Sequence, residues 1–454
     1  MNDFYYSLII LAILSVSLLF TKKIFKNSSP EQSRKIIHVT IGLTTLTFPY
    51  ILDSHLTVIA LGIIAFLGLF ALRNVKCLNK KFGAGLFSVD RNSFGEMFFI
   101  AAVVVIFSLY KLLDLNVVHY LIPIATLTFA DSTAALVGVE YGKKKISANY
   151  EDTKSMEGSF IFFVVAFMCS LIPLQLMTTI GRAEVLIIST FVGMLSAMIE
   201  MTSHDGNDNF ILPFLTFLII QYNFDKTADE LIHIFYIVTS LVIICMMINK
   251  LTKISKLAIV SCLLHGYMTL ILGSINWLYI PLLEFAFFAI FPIANEQEKK
   301  NELNYRIIEY NIIVGTIFVY IKSVTGLIDI CFVSFLVSYC VSLCMNTYTR
   351  VHVFYNKSEK ISMLYGIAKT LFIIELPYII FNTNNGVYRW WDWIIVLVAT
   401  VTSAFIAKYL NKKYDFSIVN MKAAKTYSIV MFTISSIIFI GYLILGGLGC
   451  IVLS

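Results

Sequence analysis

Blocks of mostly apolar residues, each roughly 17–25 long and parted by short polar stretches, recur along the whole chain, and an α-helix of that length crosses the hydrocarbon core of a bilayer. A backbone in lipid must satisfy its own N–H and C=O groups, so such blocks fold as helices. Spans are expected near 4–21, 36–52, 55–72, 94–113, 117–142, 157–177, 183–200, 210–224, 230–248, 257–277, 280–294, 307–321, 326–345, 361–381, 390–407 and 426–446, about sixteen crossings. The composition agrees: of 454 residues 58% are hydrophobic and 14% charged, with mean hydropathy +0.83, whereas soluble domains carry about 25% charged residues. Nucleic-acid readers, secreted disulfide scaffolds and disordered chains are excluded. The expected fold class is an all-α polytopic integral membrane protein.

Charge placement orients it. With loops alternating between the two faces, only Lys111, Arg182, Lys226, Lys322 and Arg389 of the 34 Lys+Arg residues fall on one face, and Lys369 lies within a span. The positive-inside rule makes the crowded face cytoplasmic. The first block lacks a basic n-region and a small-residue cleavage site, so it reads as an uncleaved helix with the N-terminus outside. The eight cysteines form no C-x-x-C pair and mostly sit in apolar spans, where cysteine behaves as a small hydrophobe.

Polar clusters divide the chain near residue 225. Before it, four clusters (Arg34 to His38, Arg91 to Glu96, Asp131 to Ser159, Glu200 to Asn209) all fall on cytoplasmic loops or span ends. Their convergence points to one site open to the cytosol in residues 1–225, with a second multi-span half, 226–454, of less defined role. Asp131 lies about 18 Å deep, counting about 1.5 Å per residue back from Lys143, Lys144 and Lys145, and an ionised carboxylate there lines a wet cavity or meets a partner. Ala135, Gly138 and Gly142 follow it as a smooth face, suited either to ligand approach or to close helix packing. In Lys154 to Ser159, either Ser155 or Ser159 can cap the next helix, Gly158 lets backbone amides approach an anion, and Lys154 supplies a point charge for phosphate. Glu157 is at odds with bare phosphate and fits if Mg²⁺ lies between them. Glu200 and the loop Ser203 to Asn209 gather acids without Lys or Arg, which reads as a cation or general-base site, with Asp208 and Asn209 as ligands. His204 reads as a solvated loop residue. Arg34, Lys35, His38, Arg91 and Glu96 support the site from the starts of the second and fourth spans. Together these groups describe a nucleoside-triphosphate site with magnesium, yet the chain has neither a P-loop nor a protein-kinase signature. The apolar surroundings suit a lipid as second substrate.

The ordered set RKIIHVTIG (34–42), RNSFGE (91–96), ADSTAALVGVEYGK (130–143), KSMEGS (154–159) and Glu200 with DGNDNFILP (205–213) resembles the membrane kinase family that includes dolichol kinase, phytol kinase and the CTP-dependent diacylglycerol kinase. The likeness covers roughly residues 30–220, and the family's usual Gly-Asp is Ala130-Asp131 here. It implies phosphorylation of a polyprenol- or phytol-type alcohol from CTP with Mg²⁺. Phosphatidate cytidylyltransferases, which look like distant relatives, share the Lys154 to Gly158 pattern, but their long C-terminal signature is absent. The second half, chiefly residues 253–288, faintly resembles the phytyl-phosphate kinase membrane family, although Asn346-Thr347-Tyr348 stands where that family carries Asp-Thr.

The expectation is therefore a membrane lipid-alcohol kinase. Asp131, Asp208 and Lys154 are its catalytic groups. Ser155, Gly158, Ser159, Lys143, Arg34 and Lys35 hold the nucleotide, and Asp131, Glu157, Glu200, Asp208 and Asn209 hold the metal. Its substrates are a lipid alcohol from the bilayer and a nucleoside triphosphate from the cytosol, with no nucleic-acid partner, and its short loops fit a bacterial plasma membrane. Rival readings are diacylglycerol as acceptor, cytidylyl transfer, and a multi-span transporter.

Overall fold

The computed structural model describes residues 2–24, 30–75, 94–146, 154–203, 206–251, 256–290, 304–384, 390–414 and 421–447. Arg91, Ser93, His204 and Asp205 lie outside them. Among the described residues there is no strand, only an isolated antiparallel bridge between Lys145 and Ser155. Ten of the described helices are long and apolar enough to cross a membrane, and Asp3–Val16, Leu257–Leu272 and Ile313–Thr325 are shorter apolar helical stretches.

The chain divides into two compact units, Met1–Tyr236 and Ile237–Ser454. The boundary falls past the expected residue 225 because the start of the helix that follows residue 225 packs on the first unit: the Phe235 ring lies 6.2 Å from that of Phe191.

The first unit holds α1 (Asn2–Ile24), α2 (Pro30–Leu46), α3 (His55–Asn74), α4 (Gly95–Leu112), α5 (Val118–Tyr141), α6 (Met156–Met177), α7 (Arg182–Thr202), α8 (Asp208–Asn223) and the start of α9 (Ala228–Leu251). Helix α2 begins six residues before the expected span at 36, because Pro30 suits a first helical turn, and it ends before the short turn Phe48–Ile51. The first turn of α1 is tied to the start of α3, where Asp3 accepts the amides of Asp53 and Ser54 and the hydroxyl of Thr57.

Helix α5 departs most from a regular span. Pro123 lies inside it, followed by a π turn over Thr126–Ala130 and a regular stretch Asp131–Tyr141. Proline has no N–H to give the preceding turn, and a π turn takes in one extra residue. Carbonyls here find side-chain donors: Thr128 Oγ1 donates to Ile124 O at 2.7 Å, and Thr133 Oγ1 to Phe129 O at 2.7 Å. In hydrocarbon that is the available substitute for water.

Small residues bring the neighbours of α5 close. A Cβ on Gly158 would lie 3.0 Å from Ala134 O and 3.3 Å from Gly138 Cα, and one on Gly142 would lie 2.7 Å from the Ser155 hydroxyl. The glycine face of α5 is thus a packing surface for α6, which resolves the two uses its sequence allowed. On the other side, a Cβ on Gly42 of α2 would lie 2.1 Å from Thr128 Oγ1.

The second unit comprises the rest of α9, α10 (Lys256–Leu272), α11 (Ile275–Ile290), α12 (Asn304–Thr325), α13 (Ile328–Thr349), α14 (Glu359–Thr370, a π turn Leu371–Glu375, then Leu376–Asn384), α15 (Trp390–Lys413) and α16 (Met421–Gly447). Helix α13 is its axis, mostly buried and packed against α11, α12, α14, α15 and α16. Another π turn, Arg350–Phe354, follows it.

The Gly42 contact yields a test. Gly42→Ala is expected to destabilise the protein by about 1–3 kcal/mol, the usual cost of overpacking, and adding Thr128→Ala is expected to recover part of that loss. Thermal unfolding of the detergent-solubilised single and double variants checks both.

Candidate active site

Asp131 enters the interior because the π turn ends one residue before it, and it is buried there at 7% exposure. Its Oδ2 accepts from Lys35 Nζ at 2.6 Å, and His38 Nε2 stands 3.5 Å from the same oxygen. Both partners come from one face of α2, where positions three apart are neighbours. The His38 ring is steadied by Leu127 O, 3.1 Å from Nε2, and by an edge-to-face contact with Phe99 of α4. Arg34 lies within electrostatic reach of Asp131.

Glu200 arrives from the last turn of α7 and Asp208 from the first turn of α8. Each of Asp131, Glu200 and Asp208 offers a carboxylate oxygen, and the three oxygens lie within 4.8 Å of one another. The turn into α8 depends on Gly206, whose φ of 81° is a conformation that L side chains rarely adopt. Asn209 is buried beside Asp208, and its backbone N–H donates to Asp208 Oδ1 at 3.1 Å.

Lys154 reaches this group from the loop before α6. Its ammonium contacts Glu200 Oε1 at 2.8 Å and also donates to the Glu200 carbonyl. The segments 144–146 and 154–156 are strapped together by Ile146 N–H to Lys154 O and Met156 N–H to Lys144 O, both 2.9 Å. Burial pulls the Lys154 pKa down, but the carboxylates of Glu200, Asp208 and Asp131 outweigh it and hold the ammonium above the usual lysine range. A raised lysine pKa contributes stability that is fully present below the unfolded value and is lost only as pH rises through the folded one.

Other expected site residues are placed differently. Lys35, expected on the nucleotide, is the buried counter-ion of Asp131. Ser155 caps α6 by accepting the amide of Gly158 at 3.1 Å, so that amide is not offered to an anion, and the Gly158 Cα packs on α5. Ser159 Oγ donates to Ser155 O at 3.1 Å. Glu157, expected on the metal, turns outward and accepts the amides of Lys143 at 3.2 Å and Lys144 at 3.3 Å, satisfying the loop backbone. The Lys143 side chain is exposed, and Glu96 sits in the first turn of α4.

Two features escaped the sequence reading. Glu200 Oε2 is buried without a hydrogen-bond partner, and so are the hydroxyls of Thr126 and Ser132, in and just after the π turn. The run of hydroxyl residues around Asp131 (Thr126, Thr128, Ser132, Thr133) was the available signal. An orphaned carboxylate oxygen beside two further acids is a donor set of the kind that could hold a divalent cation between Asp131, Glu200 and Asp208.

Removing Lys35 leaves Asp131 short of its contact cation. Lys35→Met is therefore expected to cost about 3–5 kcal/mol, and Lys35→Met with Asp131→Leu considerably less. Thermal melts of the single and double variants measure the difference. For the Lys154–Glu200 pair, melting temperature is expected to stay level from neutral pH up to the ordinary lysine pKa and to fall beyond it, a fall that Lys154→Met lacks. No family model, no curated protein and no solved structure matches the chain.

Proposed function

We propose that the protein is a membrane kinase that transfers the γ-phosphoryl group of CTP to a polyprenol- or phytol-type lipid alcohol. The observation that carries this reading is the convergence of Asp131, Glu200 and Asp208 with the ammonium groups of Lys35 and Lys154 at one end of the first unit. The ordered motifs that resemble the dolichol and phytol kinase family supply the substrate class. In this reading all sixteen apolar blocks cross the bilayer, the N-terminus is outside, and the site faces the cytosol of a bacterial cell, as the Lys/Arg asymmetry favours.

The chemistry follows from the side chains. Asp131, Glu200 and Asp208 would hold Mg²⁺, which when bound neutralises phosphate oxygens. Asp131 and Glu200 each already contact an ammonium, whereas Asp208 accepts the backbone N–H of Asn209, so Asp208 is the carboxylate assigned to orient the lipid hydroxyl and take its proton. The alcohol oxygen bonds to the γ-phosphorus as the bond to the departing CDP oxygen breaks. Lys154 stays protonated at neutral pH and offsets charge on the departing CDP. Lys35 and His38 fix the position of Asp131.

The test uses membranes containing the protein, γ-labelled CTP, and farnesol, geranylgeraniol, phytol, longer polyprenols and diacylglycerol as acceptors. Label is expected on a prenol, with loss of at least about 10²-fold in Asp208→Asn, the low end for a general base, a comparable loss in Asp131→Asn, and reversible loss on chelation. Full activity in both variants sinks the site assignment. No lipid labelling from CTP or ATP sinks the kinase and brings the transporter forward.

A further inference from the structure

Polar groups of the second unit gather along α13. Ser334, Ser338, Ser342, Asn346 and Arg350 recur at every fourth residue, which puts them on one slowly winding stripe of helix surface. Ser342 Oγ donates to Glu284 of α11 at 3.5 Å, and Asn346 Nδ2 donates to Ser342 Oγ at 3.3 Å. Cys340, on the same part of α13, is within electrostatic reach of both Glu284 and Glu375. Serines at helical spacing pack helices closely and need no ligand. The glutamates are another matter.

Glu375 is the last residue of the π turn in α14 and is 1% exposed. Thr400 Oγ1 of α15 donates to its Oε1 at 2.9 Å, while its Oε2 is buried with no hydrogen-bond partner. An ionised carboxylate with a bare oxygen is strongly disfavoured in a dry interior, and such a group normally neutralises instead. Ionisable residues inside spans mark ion or proton sites, and π turns gather at functional sites. A proton suits the place better than a metal ion, which needs several free oxygens. The nearby hydroxyls are already engaged: the single proton of Thr400 Oγ1 is shared between Glu375 Oε1 and Val396 O, and Ser338 donates to Phe335 O. The groups that reach Glu375 are Cys340 and Cys344 from α13 and the Thr400 hydroxyl from α15; Glu284 of α11 meets Ser342 and lies within electrostatic reach of Cys340 and of Lys369 on α14.

We propose that Glu375 is an intramembrane proton-binding site in the second unit, carrying its proton in the resting protein. This site is independent of the phosphoryl-transfer reading of the first unit.

Dicyclohexylcarbodiimide tests it on the full-length protein. The acid proton adds to a nitrogen of the reagent and the carboxylate oxygen to its central carbon, with nothing expelled, and the adduct rearranges to a stable N-acylurea. Peptide mass spectrometry is expected to find the adduct on Glu375 at neutral pH, less of it as pH rises, and no protection by sodium. Infrared difference spectra, which need no reagent access, are expected to show a protonated-acid carbonyl band that Glu375→Gln removes. Glu375→Gln is also expected to keep the parent melting temperature, since the amide is a neutral isostere of the acid. An adduct on Glu284 alone, protection by sodium, absence of the infrared band, or a lowered melting temperature in Glu375→Gln each overturns the proposal.

Discussion

The scarcity of water around helices long and apolar enough to cross a membrane shapes this molecule more than any single contact. A carboxylate, a freed carbonyl or a hydroxyl that would be solvated in a soluble protein must here find a partner within the chain. Asp131 meets that demand with Lys35 at 2.6 Å. For that pair to form, α2 must lie almost against α5, which is why Gly42 faces Thr128 with no room for a Cβ. The π turn and its threonine hydroxyls solve the companion problem of the backbone around Pro123. Charge pairing, close helix approach and backbone repair are thus parts of one solution.

The same economy shapes the loop before α6. Ser155 closes the helix start, Glu157 closes the loop backbone, and the antiparallel strap between 144–146 and 154–156 leaves Lys154 extended toward Glu200. Most of KSMEGS is therefore scaffold, and one residue of it projects into the site. The three acids themselves come from helix ends or from beside a π turn, where backbone geometry lets a side chain leave the regular helical face.

Much of this was legible in the sequence, and the limits have physical causes. Apolar block length announces helices because lipid allows no other open-ended backbone. Asp131 stood out because an acid is costly inside such a block, Glu200 and Asp208 because they gather in a stretch without Lys or Arg, and the structure brings those three together. The direction of the Gly158 amide was illegible, because it depends on the Ser155 rotamer. The roles of Lys35 and Glu157 were illegible for a related reason: an ammonium reads alike whether it meets phosphate or a carboxylate, and a carboxylate reads alike whether it meets metal or amides. The π turns leave no periodic trace, since each is a slip of hydrogen bonding within five residues.

That slip has a consequence for how the chain tolerates change. A regular helix advances about 100° per residue, so the extra residue taken up between Pro123 and Asp131 sets the angular phase of everything beyond it. Gaining or losing one residue there would act as a rotation: the glycine face would swing off α6 and Asp131 would swing off Lys35 together. The length of this short stretch is thus as much a part of the site as the identity of its acid.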